Sequence, residues 1–89
     1  MMNEAEWSEL KVRRIASIRT SIEALRVNAE PKLRRHRFGK LHGQINELRI
    51  VGLFSSVEAK ELSRATEDAN REAYQSEQAA ALIQASVDE

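Results

Sequence analysis

Apolar residues along this chain recur every three or four positions, and no window alternates with the two-residue period of a strand, so the pattern predicts helices throughout. One stripe runs through Trp7, Ile15, Ile18, Ile22, Leu25 and Ala29. A second takes Phe38, Leu41, Ile45 and Leu48. A third takes Leu62, Ala65 or Thr66, Ala69, Ala73, Ala80, Ile83 and Val87. The expected elements are helix 1 over about residues 4–29, helix 2 over about 31–51 and helix 3 over about 56–85, with 86–89 a frayed tail.

The boundaries follow from capping chemistry. Asn3 can cap helix 1, and Glu4 and Glu6 suit the positive end of its dipole. Pro31 inside a continuous helix would cost about 3 kcal/mol, whereas at the first position of a new helix its missing N–H is harmless. A straight continuation of helix 1 would carry its stripe onto Lys32, His36, Gly39, Gly43, Asn46 and Ile50. The apolar residues lie instead about 150° further round, at 100° per residue. A chain reversal near Asn28–Glu30 is therefore predicted, a long kinked helix being the alternative. Gly52 fits the position just past a helix end, Ser55-Ser56-Val57-Glu58 reads as a capping box, and Leu53 or Phe54 would staple the turn. The run from Leu41 to Leu62 resembles the short helical hairpin of SHOCT-type domains over about a quarter of the chain, and no residue role is taken from that likeness.

These elements predict one all-α domain over residues 1–89: an antiparallel three-helix bundle, or a long helical hairpin with an extra N-terminal helix. Helix 3 outruns its neighbours, so its last turns, with Leu82, Ile83 and Val87, would find nothing from the same chain beside them. Either these turns fray or they pack on a second copy or a partner, and a second contact, as in a homodimer, is the expectation. A chain of 89 residues buries a modest share of its surface, which points the same way.

Composition narrows the setting. With no cysteine there is no disulfide framework, no thiolate nucleophile and no cysteine zinc site, and the chain reads as cytoplasmic. The acidic start MMNEAEWSEL has no apolar signal region, and no membrane span is expected. Net charge is zero, yet residues 1–50 hold 11 Lys/Arg against 6 Asp/Glu and residues 51–89 hold 3 against 8, so the halves carry +5 and −5. That polarity means either a basic binding surface or two halves packed on each other. Helix 1 offers i,i+4 pairs at Glu9–Arg13, Arg19–Glu23 and Arg26–Glu30, and helix 3 one at Glu67–Arg71. Trp7 is expected to anchor the end of the core.

No enzyme is expected, and no cofactor or metal. His36 and His42 stand six apart and do not share a helix face, and no phosphate-binding loop or paired catalytic group is present. Lys32, Arg34, Arg35, Arg37 and Lys40 crowd a stretch without a single acid, the electrostatic footprint of a nucleic-acid-binding face. Phe38 within it belongs to the core stripe, so no aromatic residue interleaves on the basic face to support base stacking. In the expected hairpin register, Phe38 opposes Ala69 and Leu41 opposes Ala65, so Glu67, Asp68 and Glu72 would approach Arg34, Arg37 and Lys40 and partly neutralise them. Gly39 and Gly43 lie on the outward face of helix 2 with Ile50, and each glycine costs about 1 kcal/mol relative to alanine there. A close approach by another molecule is the compensation expected. The reading is a small binding protein that recognises another protein through Lys32, Arg35, His36, Gly39, Lys40, Gly43 and Ile50. The alternative is a nucleic-acid-binding regulator using Lys32, Arg34, Arg35, Arg37 and Lys40.

Overall fold

The first helix begins where Asn3 accepts the Glu6 N–H on its side-chain oxygen at 2.8 Å. In the computed structural model, which describes residues 2–28 and 30–87, α1 spans Glu4–Arg26, α2 spans Pro31–Ile50 and α3 spans Ser56–Val87. The three helices pack on one another, α2 running against the direction of α1 and α3. Among the described residues no strand forms, and none of the helices is long and apolar enough to cross a membrane.

The reversal between α1 and α2 falls where the proline pattern predicts it, but α1 stops three residues short of the expected end. Asn28 is the cause: its side-chain oxygen accepts the Glu30 N–H at 3.0 Å, a local turn that competes with further helix. Pro31 then opens α2 at a position that needs no donor, and the Glu30 carbonyl accepts the Arg34 N–H at 2.9 Å. Ala29, expected on the first stripe, lies outside the described residues, as do residues 88 and 89 of the expected frayed tail. Residues 86 and 87 are helical.

The second turn is built as its sequence predicts. Gly52 has φ of 86°, its N–H reaches the Arg49 carbonyl at 3.1 Å, and the Leu53 N–H reaches Leu48 at 3.0 Å, the paired bonds of a Schellman ending. The Glu58 N–H then donates to the Ser55 hydroxyl at 3.1 Å while the Ser55 N–H donates to the Glu58 carboxylate at 2.8 Å, a complete capping box. Both Leu53 and Phe54 are buried and plug this end of the core. The same Glu58 oxygen accepts Lys11 at 3.0 Å and ties α1 to the start of α3.

The core uses all three stripes. Ile18, Ile22 and Leu25 meet Leu41 and Ile45 over Ala59, Leu62, Thr66, Ala69 and Ala73, with Ile15, Phe38, Leu48 and Ala65 packed at its margin. The buried Thr66 hydroxyl donates to the Leu62 carbonyl at 2.7 Å. Trp7 is 42% exposed rather than an anchor, because Lys11 is already level with Glu58 and Trp7, a full turn earlier, projects past the start of α3, while Leu10 still packs on the core. At the other end α3 overshoots, leaving Leu82, Ile83 and Val87 at 70%, 66% and 74% exposure. These staggered ends give a rod of 64 × 18 × 17 Å, with a radius of gyration of 16.6 Å. A compact chain of this length would have about 12 Å.

Two predictions test the turn. Gly52→Ala forces a side chain into a left-handed backbone and lowers unfolding free energy by about 1–2 kcal/mol in urea titration. Glu58 is held below the ordinary glutamate value, first by the Ser55 N–H and then by Lys11. Its contribution is therefore fully present above the ordinary value and is lost as pH falls through the depressed one. Denaturation midpoints of Glu58→Gln consequently fall less than those of the wild type across that acid window.

Candidate interaction surface

The second helix must serve two masters, since one side closes the core and the other meets solvent. Phe38, Leu41, Ile45 and Leu48 take the inner side, leaving Lys32, Arg35, His36, Gly39, Lys40, Gly43 and Ile50 all exposed on the other. Lys32 and Ile50 are 18 residues apart on this helix, so the surface is a strip about 27 Å long. Gly43 and Ile50 share a shallow depression with Lys40 and Glu47, while Lys32, Arg35, His36 and Gly39 continue the strip toward Pro31. A methyl group added to Gly39 or Gly43 would meet nothing within 4 Å. Neither has positive φ, so nothing within the described chain requires glycine at either position.

The basic cluster is not one surface. Arg34 departs from expectation: it is 5% exposed, and its Nη2 lies 2.7 Å from the Glu77 carboxylate. It is therefore withdrawn from any nucleic-acid-binding face. The reason is positional, because Arg34 precedes Phe38 by four residues and Leu41 by seven and so belongs to the stripe that faces α3. Its Nε and Nη1 are buried without a hydrogen-bond partner.

The expected neutralisation by α3 also takes another course. Glu72 binds Arg26 of α1, Asp68 binds Arg71 within α3, and Glu77, one turn beyond the acids expected there, takes Arg34. Arg26 also meets Glu23 at 3.2 Å; among the described residues the i,i+4 pairs expected at Glu9–Arg13, Arg19–Glu23, Arg26–Glu30 and Glu67–Arg71 do not form, Glu23 and Arg71 pairing at i,i+3 and Arg26 also across to α3. The Glu72 bond holds the Arg26 guanidinium above its ordinary value. Lys32, Arg35, Arg37 and Lys40 form no ion pair among the described residues.

Arg37 and Lys40 line a groove of about 430 Å³ between α1 and α2, with Ser17, Ser21 and Ala24 on its opposite wall. Sequence reading misses this feature, although Ser17, Ser21 and Ala24 recur at i, i+4 and i+7 beside the isoleucine stripe. His42 packs edge-on against Phe38, with ring centres 4.6 Å apart, as a core-margin side chain. His36 is exposed, and the described residues hold no cluster of three groups able to ligate a metal.

The glycines give this surface a stability test. Gly39→Ala and Gly43→Ala remove the helix penalty without a clash, and each raises unfolding free energy by about 0.8–1 kcal/mol, opposite in sign to Gly52→Ala. No family model, no curated protein and no solved structure matches the chain, and the likeness to SHOCT-type hairpins does not extend to family membership.

Proposed function

We propose that this protein is a small non-enzymatic binding protein, an adaptor, inhibitor or regulatory subunit of the cytoplasm, that recognises another protein through α2. One observation carries the reading: two helical glycines, and four basic side chains without an ion-pair partner among the described residues, stand exposed on α2. Glycine in a helix interior weakens it, and no close approach among the described residues offsets the loss. A partner lying against Gly39 and Gly43 makes use of it, with Ile50 as an apolar contact and Lys32, Arg35, His36 and Lys40 as a polar rim.

The chain acts as a homodimer in this reading, its second contact being the α3 overhang. Residues 78–87 are the longest uncharged run in the sequence, and Leu82, Ile83 and Val87 stand exposed within it. Covering them with a second copy places like surface against like without charge repulsion.

The nucleic-acid reading is the runner-up. Burial of Arg34 leaves Lys32, Arg35, Arg37 and Lys40 to meet phosphate, with Arg37 turned into the groove beside α1. Its signature would be affinity for mixed-sequence DNA or RNA that falls steeply with salt.

Affinity purification from the native host with wild type and with Gly39→Leu/Gly43→Leu tests the main reading. A specific partner is recovered with the wild type and lost with the variant, while circular dichroism of the variant retains full helix content. Equal recovery by both removes α2 as the recognition surface. For the dimer, sedimentation equilibrium at micromolar concentration gives twice the chain mass for residues 1–89 and the single-chain mass for residues 1–79; a monomeric wild type ends that proposal.

A further inference from the structure

The three helix pairs are not equivalent. Both α1 and α2 pack extensively on α3 and far less on each other. The seam between α1 and α2 is therefore the open side of the bundle, and the groove that runs along it has three chemically distinct parts.

Its α1 wall consists of Ser17, Ser21 and Ala24, all exposed and all small. Its floor is the flank of Leu41, a core residue. Its α2 rim holds Arg37 and Lys40, one helical turn apart, and neither has an ion-pair partner among the described residues. Among the described residues no carboxylate lines the groove. The α1 wall from Ser17 to Ala24 and the α2 wall from Arg37 to Gln44 each span seven residue steps, about 10 Å or two helical turns.

We infer that this groove seats an acidic amphipathic helix of the protein partner, which completes a four-helix bundle. This rests on the protein-binding reading above and names the element of the partner that docks. Small side chains on one wall admit a helix backbone, the Leu41 flank and Ala24 take its apolar face, and two carboxylates at i,i+3 or i,i+4 meet Arg37 and Lys40. A strand is a poorer occupant, because no sheet edge exists among the described residues to pair with it. A phosphate group would match the charges but leave the apolar floor unused. The α3 overhang of a second copy has no charged residue from 78 to 87 and so offers nothing to the two cations. Lys40 borders both the groove and the depression at Gly43, so the groove adjoins the glycine strip.

The test uses the full chain and a synthetic amphipathic peptide of about 18 residues, long enough to hold helix, with Leu and Ala on one face and Glu beside it. Fluorescence anisotropy at about 50 mM salt gives saturable binding that weakens as salt rises. Arg37→Glu/Lys40→Glu weakens it at least about tenfold and binds instead a peptide carrying Lys in place of Glu. Ser21→Trp fills the groove and abolishes binding of either peptide; Ser21 is exposed, and unchanged circular dichroism establishes that this variant folds.

Absent binding to the wild type, or equal affinity for the wild type and Ser21→Trp, overturns the groove assignment. So does tighter binding of a 20-base oligonucleotide than of the acidic peptide, in favour of a phosphate ligand. The host partner separates the two levels of the argument. Loss of that partner from Gly39→Leu/Gly43→Leu but not from Ser21→Trp overturns the groove and keeps α2 recognition, whereas retention by both variants removes both.

Discussion

The thinness of α3 governs this structure. Its buried face is built from Ala59, Leu62, Thr66, Ala69 and Ala73, and the three alanines let neighbouring backbones come close. Apart from Leu62, the large helical side chains come from the other two helices, as Ile18, Ile22 and Leu25 from one side and Leu41 and Ile45 from the other. Each of α1 and α2 thus gains its burial by closing on α3, and neither gains much by closing on the other. Alanine buries little area, so the core has few apolar atoms per turn and depends on Leu53 and Phe54 to seal one end. The open seam between α1 and α2 is a consequence of this division of labour.

The opposite end of the core is closed by charge. Arg34 and Glu77 each continue their helix's inward stripe, and they meet at 2.7 Å below the last apolar layer. Two of the Arg34 nitrogens remain buried without a hydrogen-bond partner, and burying an ion pair recovers its desolvation cost only when the geometry satisfies both groups. The pair is better understood as fixing where α3 crosses α2 than as a large source of stability. Past it, the α3 stripe emerges uncovered at Ala80, Ile83 and Val87. One contact thereby marks the end of the core and removes the central arginine from the basic cluster.

The local features of this fold were legible because their causes are local. Gly52, Ser55 and Glu58 specify a helix stop and start within seven residues, and the chain forms both as their chemistry directs. The stripes of α1 and α2 named the core correctly at Ile18, Ile22, Leu25, Leu41 and Ile45. The failures share a cause, which is that they depend on what another helix brings. Charge groups Arg34 with its basic neighbours, whereas its spacing from Phe38 and Leu41 places it inside. Trp7 lies on the right face of α1 but beyond the point where α3 begins. Arg26 turned from Glu30 to Glu72 once the Asn28 turn ended its helix and α3 came alongside. The groove could not be read from either wall alone, since Ser17, Ser21 and Ala24 acquire meaning only opposite Arg37 and Lys40.

The separation of charge between the two halves of the chain is used only in part by the fold. Three ion pairs join the first half to α3: Lys11 with Glu58, Arg26 with Glu72 and Arg34 with Glu77. Had internal neutralisation been the sole purpose of the polarity, the densest basic stretch would have drawn the nearest acids of α3. Glu72 and Asp68 are engaged elsewhere, and four of the five Lys/Arg side chains between residues 32 and 40 have no ion-pair partner among the described residues. Exposed ion pairs are individually worth about 0–1 kcal/mol, so forgoing them costs the fold little. Arg37 and Lys40, left open beside the Leu41 flank, favour an acidic partner and disfavour a basic one, which is where electrostatics contributes most to recognition, whereas Lys32 and Arg35 stand on the outward strip. The weak contact between α1 and α2 and the unpaired Arg37 and Lys40 therefore coincide at the seam, the side on which a fourth helix would complete the packing.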